Sequence, residues 1–305
     1  MIRKLSPELA KIAEEELNEN PKTVASDLLY LKEWISKQPH LKARTDDQWL
    51  IALLRGCKYS LERVKTKLDL YYTLRTTAPD ITLRIKPTDP KFIEFFRQGT
   101  CIILPKPKDD KVFPRVILIR AGHYDPATHS VADVLCMLYY LVQILVVGDD
   151  VASIVGTKIV VDYEGVTLTH LAQAPPILKK MVAVAQDSMP LRLKGSHHMN
   201  LGSGIERIFT LISVFLNEKA KQRLKIHKSP AELNEHIPIE IIPKEYGGEG
   251  DTVETIIEHW VSKLQDYQPW MKLEEQLGTD ESLRAEASGA ADVMSSGSFR
   301  KLDID

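Results

Sequence analysis

Val116-Ile117-Leu118-Ile119, then a helix-length apolar run from Val131 to Val147, then Ile159-Val160-Val161: these three stretches decide the fold. Short β-branched runs on either side of a helix-length segment read as strand, helix, strand, and strands joined by a helical crossover lie parallel in one sheet. Working outward, Cys101 to Leu104 and Ile237 to Ile242 read as further strands, and Leu168–Asp187 and Ser203–Leu216 as further helices. Pro238 and Pro243 bracket the Ile237 run, which predicts an edge strand. The reading is an α/β domain with a mainly parallel sheet over residues 91–250.

Residues 1–90 carry a different pattern. Ser6-Pro7 opens an amphipathic helix, Asp27 to Ile35 repeats apolar residues at helical spacing, and Asp46-Asp47 and Ser60 cap two more helices. This predicts a small all-helical N-terminal domain. Residues 251–305 hold one helix, Val253 to Leu264, and a Ser/Gly/Ala-rich tail around Ser288 to Ser298 that reads as flexible.

Composition bounds the function. With 305 residues the chain can bury a core without metal or disulfide staples. A formal net charge of −2 leaves no global basic field, so nucleic acid is not expected as a partner. Cys57, Cys101 and Cys136 are scattered, as in a reducing cytoplasm. The N-terminus lacks the apolar core of a signal peptide. The apolar run Val134 to Val147 is shorter than the roughly 20 residues a bilayer span needs, so it reads as a helix buried in protein. No nucleophile elbow, phosphate loop, dinucleotide fingerprint or zinc-protease motif occurs. His197 and His198 are strand neighbours pointing to opposite faces, a poor metal pair. Asp162 and Glu164 sit where a strand ends, but a turn-forming role is the simpler reading; Gly148-Asp149-Asp150 reads as a helix end and turn. No catalytic residue, cofactor or metal is expected.

Four ordered segments resemble the CRAL-TRIO (Sec14-like) lipid-binding family. They are Leu53-Leu54-Arg55-Gly56-Cys57-Lys58-Tyr59 followed by a helix with Tyr71 and Tyr72; Val160-Val161-Asp162-Tyr163-Glu164-Gly165; Asp187-Ser188-Met189-Pro190; and Ile242-Pro243-Lys244-Glu245-Tyr246-Gly247-Gly248. The pattern is most similar to the tocopherol-transfer and retinaldehyde-binding subgroup, and the tail at Gly297 to Leu302 resembles arthropod members. The resemblance implies an apolar cavity with a helical gate, a retinoid, carotenoid, tocopherol or similar lipid as ligand, and transfer between membranes. A lipid-sensing regulatory module that binds phosphoinositide or phospholipid and a protein partner is the alternative.

Candidate site residues follow from spacing and resemblance together. Cys136, Tyr139, Tyr140 and Gln143 form one polar stripe on an otherwise apolar helix, as orienting groups in an apolar pocket would; buried core tyrosines are the competing reading. The resemblance makes Gly202 to Leu216 the gate, with Ile205, Ile208, Phe209 and Ile212 facing the cavity. Arg192 and Lys194 alternate along a strand, and Lys219 and Arg223 share a helix face. By resemblance these four engage an anionic membrane, with phosphoinositide as the candidate headgroup, and Lys58 stands beside Cys57, where the family carries a basic residue. The chain is expected to act as a cytoplasmic monomer, transiently peripheral to membranes.

Overall fold

The computed structural model describes residues 2–108, 111–174, 188–202 and 216–284, together with 177, 180, 182 and 184. The helical N-terminal region comprises α1 (Pro7–Leu17), α2 (Val24–Ser36), α3 (Asp47–Gly56), α4 (Leu61–Thr77), α5 (Pro79–Thr82) and α6 (Pro90–Phe96). The caps read from sequence are in place at α1 and α3. The Ser6 side chain accepts from Leu9 N, and Asp46 accepts from Trp49 N, satisfying amides that a helix start leaves without partners. Helix α3 is buried from Gln48 to Arg55, so it forms the axis of this region.

Five strands make the main sheet: β2 (Cys101–Ile103), β3 (Arg115–Arg120), β4 (Thr157–Asp162), β5 (Leu193–Met199) and β6 (Leu224–His227), side by side in that order. Strand β2 pairs antiparallel with β3, and the other three pairings are parallel. Between them run α7 (Val131–Gly148), α8 (Asp150–Ile154), α9 (Leu168–Gln173) and α10 (Glu218–Gln222). After the sheet come α11 (Val253–Asp266) and α12 (Gln268–Glu274). A second ladder joins β1 (Leu41–Lys42) antiparallel to β7 (Gly278–Thr279), tying the segment after α12 to the helical region.

Three expectations change. Ile237 to Ile242 is no strand: Ile239–Ile241 forms a 3-10 turn after another at Pro230–Glu235. The flanking prolines lack amide donors, and Ile237, Ile241 and Ile242 are apolar because they are buried, not because they pair. The edge strand is β6, whose four residues Leu224, Lys225, Ile226 and His227 are too short and polar a run to announce a strand. Helix α7 spans 18 residues and is long and apolar enough to cross a membrane by length and composition; what makes it a core helix is that 78% of it is buried. The predicted helix at Ser203–Leu216 and the Ser/Gly-rich tail lie outside the described residues.

Candidate functional site

Helix α7 has two unlike sides. Its polar stripe faces the N-terminal helices. Arg75 of α4, fully buried, donates from Nη1 to the Tyr139 hydroxyl at 3.3 Å and from Nη2 to the Tyr140 hydroxyl at 3.4 Å. The same guanidinium lies 3.5 Å from the Glu274 carboxylate of α12. Burial pushes the Glu274 carboxyl up, against the opposing pull of Arg75 and Arg44. The Tyr71 and Tyr139 rings stack at 5.9 Å. Cys136 Sγ exchanges contacts with the Ile85 backbone at 3.4 Å, and burial pushes its thiol up to about 11. Gln143 donates to the Tyr139 carbonyl at 3.3 Å. Of the four residues read as pocket lining, Cys136, Tyr139 and Tyr140 therefore sit in a seam against the helical region, while Gln143, fully buried, bonds back to its own helix and leaves its Oε1 without a hydrogen-bond partner among the described residues. Spacing placed them correctly on one stripe but could not say which neighbour that stripe meets.

The opposite stripe is apolar and less covered. Val131, Leu135 and Leu138 recur at helical spacing and are only half-buried; at about 100° per residue this stripe lies roughly 120° around the helix from the seam. Pairing in the sheet shows which face the helix lies on. Cys101 Sγ approaches the Val134 carbonyl of α7 at 3.9 Å, and Cys101 stands opposite Ile119 in the β2–β3 ladder. Directly opposed residues share a face, and the parallel register extends that face through Ile117 and Ile119 to Ile159 and Val161, then to Ser196 and His198. Helix α7 contacts this face near β2. Ile159 and Val161, on the central strand of five, are only half-buried. Central strands between packed layers are normally covered on both faces, so a half-covered apolar centre marks a place where another apolar body belongs.

One polar group borders this patch. Neutral His198 hydrogen-bonds to Ser196 Oγ at 2.7 Å and to the Tyr163 hydroxyl at 3.1 Å; burial, reinforced by His227, holds it down to about 4.

The recurring segments quoted above act as ties. Fully buried Arg55 clamps Glu19 at 2.8 and 3.2 Å and reaches Asp150 at 2.9 Å, joining the helical region to α8. Asp162, 1% exposed, accepts from Glu164 N, Asn200 Nδ2 and the Tyr246 hydroxyl at 2.9, 2.8 and 2.7 Å. That is the turn-forming role. Gly247 takes φ +74° and Gly248 packs where a Cβ would fall 2.0 Å from the Ile242 carbonyl oxygen, so both glycines are required for Tyr246 to reach inward. Asp149 ends α7, caps α8 through Val151 N and pairs with Arg115 at 3.2 Å.

Arg192 and Lys194 do point to one side, and both reach Glu16 of α1, at 3.1 and 3.6 Å. Arg192 also bonds the Ile154 carbonyl, and Arg223 bonds the Leu193 carbonyl. Burial first, then the charge of Arg192, lowers both Lys194 and Arg223, so these three cations form one cluster. Lys219 is exposed on α10, and Lys58 is half-buried with a left-handed backbone, φ +51°. Ile205, Ile208, Phe209 and Ile212 lie outside the described residues.

The CRAL/TRIO domain profile matches residues 97–248. The human alpha-tocopherol transfer protein-like is 30% identical over 254 residues, covering 82% of this chain and 73% of its own. The chain belongs to the CRAL/TRIO family. Rat clavesin-2 is 26% identical over 272 residues, covering 86% of this chain and 82% of its own. The crystal structure of Sfh5 shares the fold, with a TM-score of 0.51 at 13% identity over 84% of this chain and 92% of that one. The helical region matches a second profile, a Pinta-like UBA domain, over residues 20–92. CRAL/TRIO proteins bind and transfer small lipophilic ligands, a family of carriers rather than of enzymes.

Proposed function

We propose that this chain holds one small hydrophobic molecule, of the retinoid, carotenoid, tocopherol or related lipid class, against the sheet face at Ile119, Ile159 and Val161, and carries it between membranes. The observation that carries the reading is the half-covered apolar centre of the sheet, on the same face that α7 meets at β2. Each 100 Å² of apolar ligand surface buried there contributes about 2.5 kcal/mol. Ile205, Ile208, Phe209 and Ile212 would close the remaining side as a gate. Cys136, Tyr139, Tyr140 and Gln143 serve the site from behind, by fixing the wall.

Arg192, Lys194, Lys219 and Arg223, with Lys58, form the proposed headgroup rim, each near-surface cation adding about 1 kcal/mol of attraction to an anionic leaflet. The carrier would work in the cytoplasm as a monomer, touching membranes only to load and unload. The test is to purify the chain from its own tissue, extract it and identify the bound molecule by mass spectrometry. One hydrophobic small molecule per chain is the expected result. A bound phospholipid would turn the reading to a lipid-sensing regulatory module, and an empty chain that takes up no lipid from vesicles would overturn it.

A further inference from the structure

We propose that His197, His227 and His236 form a binding site for a divalent transition cation of the zinc class. The site lies across the sheet from the lipid face: His197 pairs with Val160, and Val160 points away from Ile159 and Val161. His198, its sequence neighbour, pairs with Val161 and faces the other side. What sequence could not show is that His227, on β6, and His236, after the 3-10 turn at Pro230–Glu235, come to meet His197. One nitrogen from each of the three rings lies within 4.8 Å of the others.

His197 Nδ1 and His227 Nε2 are already 2.9 Å apart. Zinc–nitrogen bonds near 2.0–2.1 Å in a tetrahedron set nitrogens about 3.3 Å apart. The first two rings need to part slightly, and His236, half-buried at the end of its turn, needs to close by no more than about 1.5 Å. The Glu232 carboxylate lies 3.7 Å from His227 Nδ1. It favours the proton there and turns the Nε2 lone pair toward His197, the usual work of a carboxylate behind a metal-bound histidine.

Two cations face the cluster. Lys158 Nζ donates to the His236 carbonyl at 2.6 Å and lies over the Phe113 ring. Lys225 Nζ is 3.4 Å from His236 Nε2 on an exposed side chain, so metal and Lys225 compete for that region. A bound ion would lock the edge strand β6 and the following turn onto β5.

The test is calorimetric titration of zinc into the chelator-stripped full chain, with circular dichroism reporting the fold. One ion per chain with a Kd in the micromolar range or tighter is expected. His236→Gln should weaken binding about a hundredfold, Lys225→Met should tighten it several-fold, and His198→Gln should leave it unchanged. Absence of binding below millimolar zinc, or a His236→Gln affinity equal to that of the unaltered chain, would overturn the site. Should His236→Gln lose its fold, cobalt added to the unaltered chain decides: a tetrahedral spectrum supports the site, and the spectrum of aqueous cobalt refutes it.

Discussion

Helix α7 meets α4 and α12 through Arg75, Tyr139, Tyr140 and Glu274, none more than 3% exposed, while Leu135 and Leu138 on its other side stay half-covered, as do Ile159 and Val161 on the sheet face that the helix meets at β2. The first contact is polar, interlocked and far from bulk water. The second is apolar, with its cover left incomplete by the described residues. A buried ion pair is a weak source of net stability, since desolvation offsets much of the attraction, but losing one partner is costly. An apolar face loses little when a body leaves it except the burial that body supplied. In the proposed carrier, one side of the helix fixes the wall in place, and the other is where ligand would come and go.

The sharpest way to break this contrast is Arg75→Ala, which leaves Glu274 with Arg44 as its remaining partner and takes the donor from two tyrosine hydroxyls. Urea unfolding should show a loss of about 3 kcal/mol. Arg75→Met combined with Glu274→Gln should recover part of that, because it removes the half-paired charge. Tyr139→Phe comes next: one hydroxyl lost from the seam costs about 1 kcal/mol of folding stability, with ligand affinity unchanged. Val161→Thr should do the reverse. It keeps shape and strand preference but sets a hydroxyl on the lipid face, weakening ligand by about 1 kcal/mol, roughly fivefold, with unfolding nearly unaltered. Equal effects of Tyr139→Phe and Val161→Thr on ligand affinity would erase the distinction between the two sides.

The smallest expected effect concerns the rim. Glu16 pairs with both Arg192 and Lys194 and offsets one of their two charges; the hydrogen bond from Arg192, ahead of the other causes, holds its carboxyl below the usual range. The pairing is thus present at neutral pH and is lost only as pH falls through that lowered value. Glu16→Gln should release the two cations and tighten binding to anionic vesicles a few-fold in a sedimentation assay. Unaltered vesicle binding would remove Arg192 and Lys194 from the rim.

Strand runs such as Val116–Ile119 and Ile159–Val161, and the caps at Ser6 and Asp46, were legible because their signals are local. The Ile237 run misled because buried isoleucines look alike whether they pair or merely pack, and β6 was missed because four residues with a lysine carry almost no pattern. The site was less legible for a further reason. The stripe of Cys136, Tyr139, Tyr140 and Gln143 is visible in spacing, but Ile85, which Cys136 meets, and Arg75, which holds the two tyrosine hydroxyls, stand far off in the chain, so nothing local shows that the seam takes up these groups. Nor does an apolar residue reveal whether it is covered: Val160 and Val161 read the same, yet one is buried and the other half-open.

The central claim is that ligand rests on the sheet at Ile159, and filling that space tests it most directly. The measurement is ligand occupancy, by extraction and mass spectrometry, of Ile159→Trp beside the unaltered chain, both exposed to the same lipid mixture and both checked by thermal unfolding. The account predicts that the unaltered chain carries about one molecule and that Ile159→Trp is empty, with its melting temperature little changed. A fully loaded, normally folded Ile159→Trp would place the ligand elsewhere and contradict it.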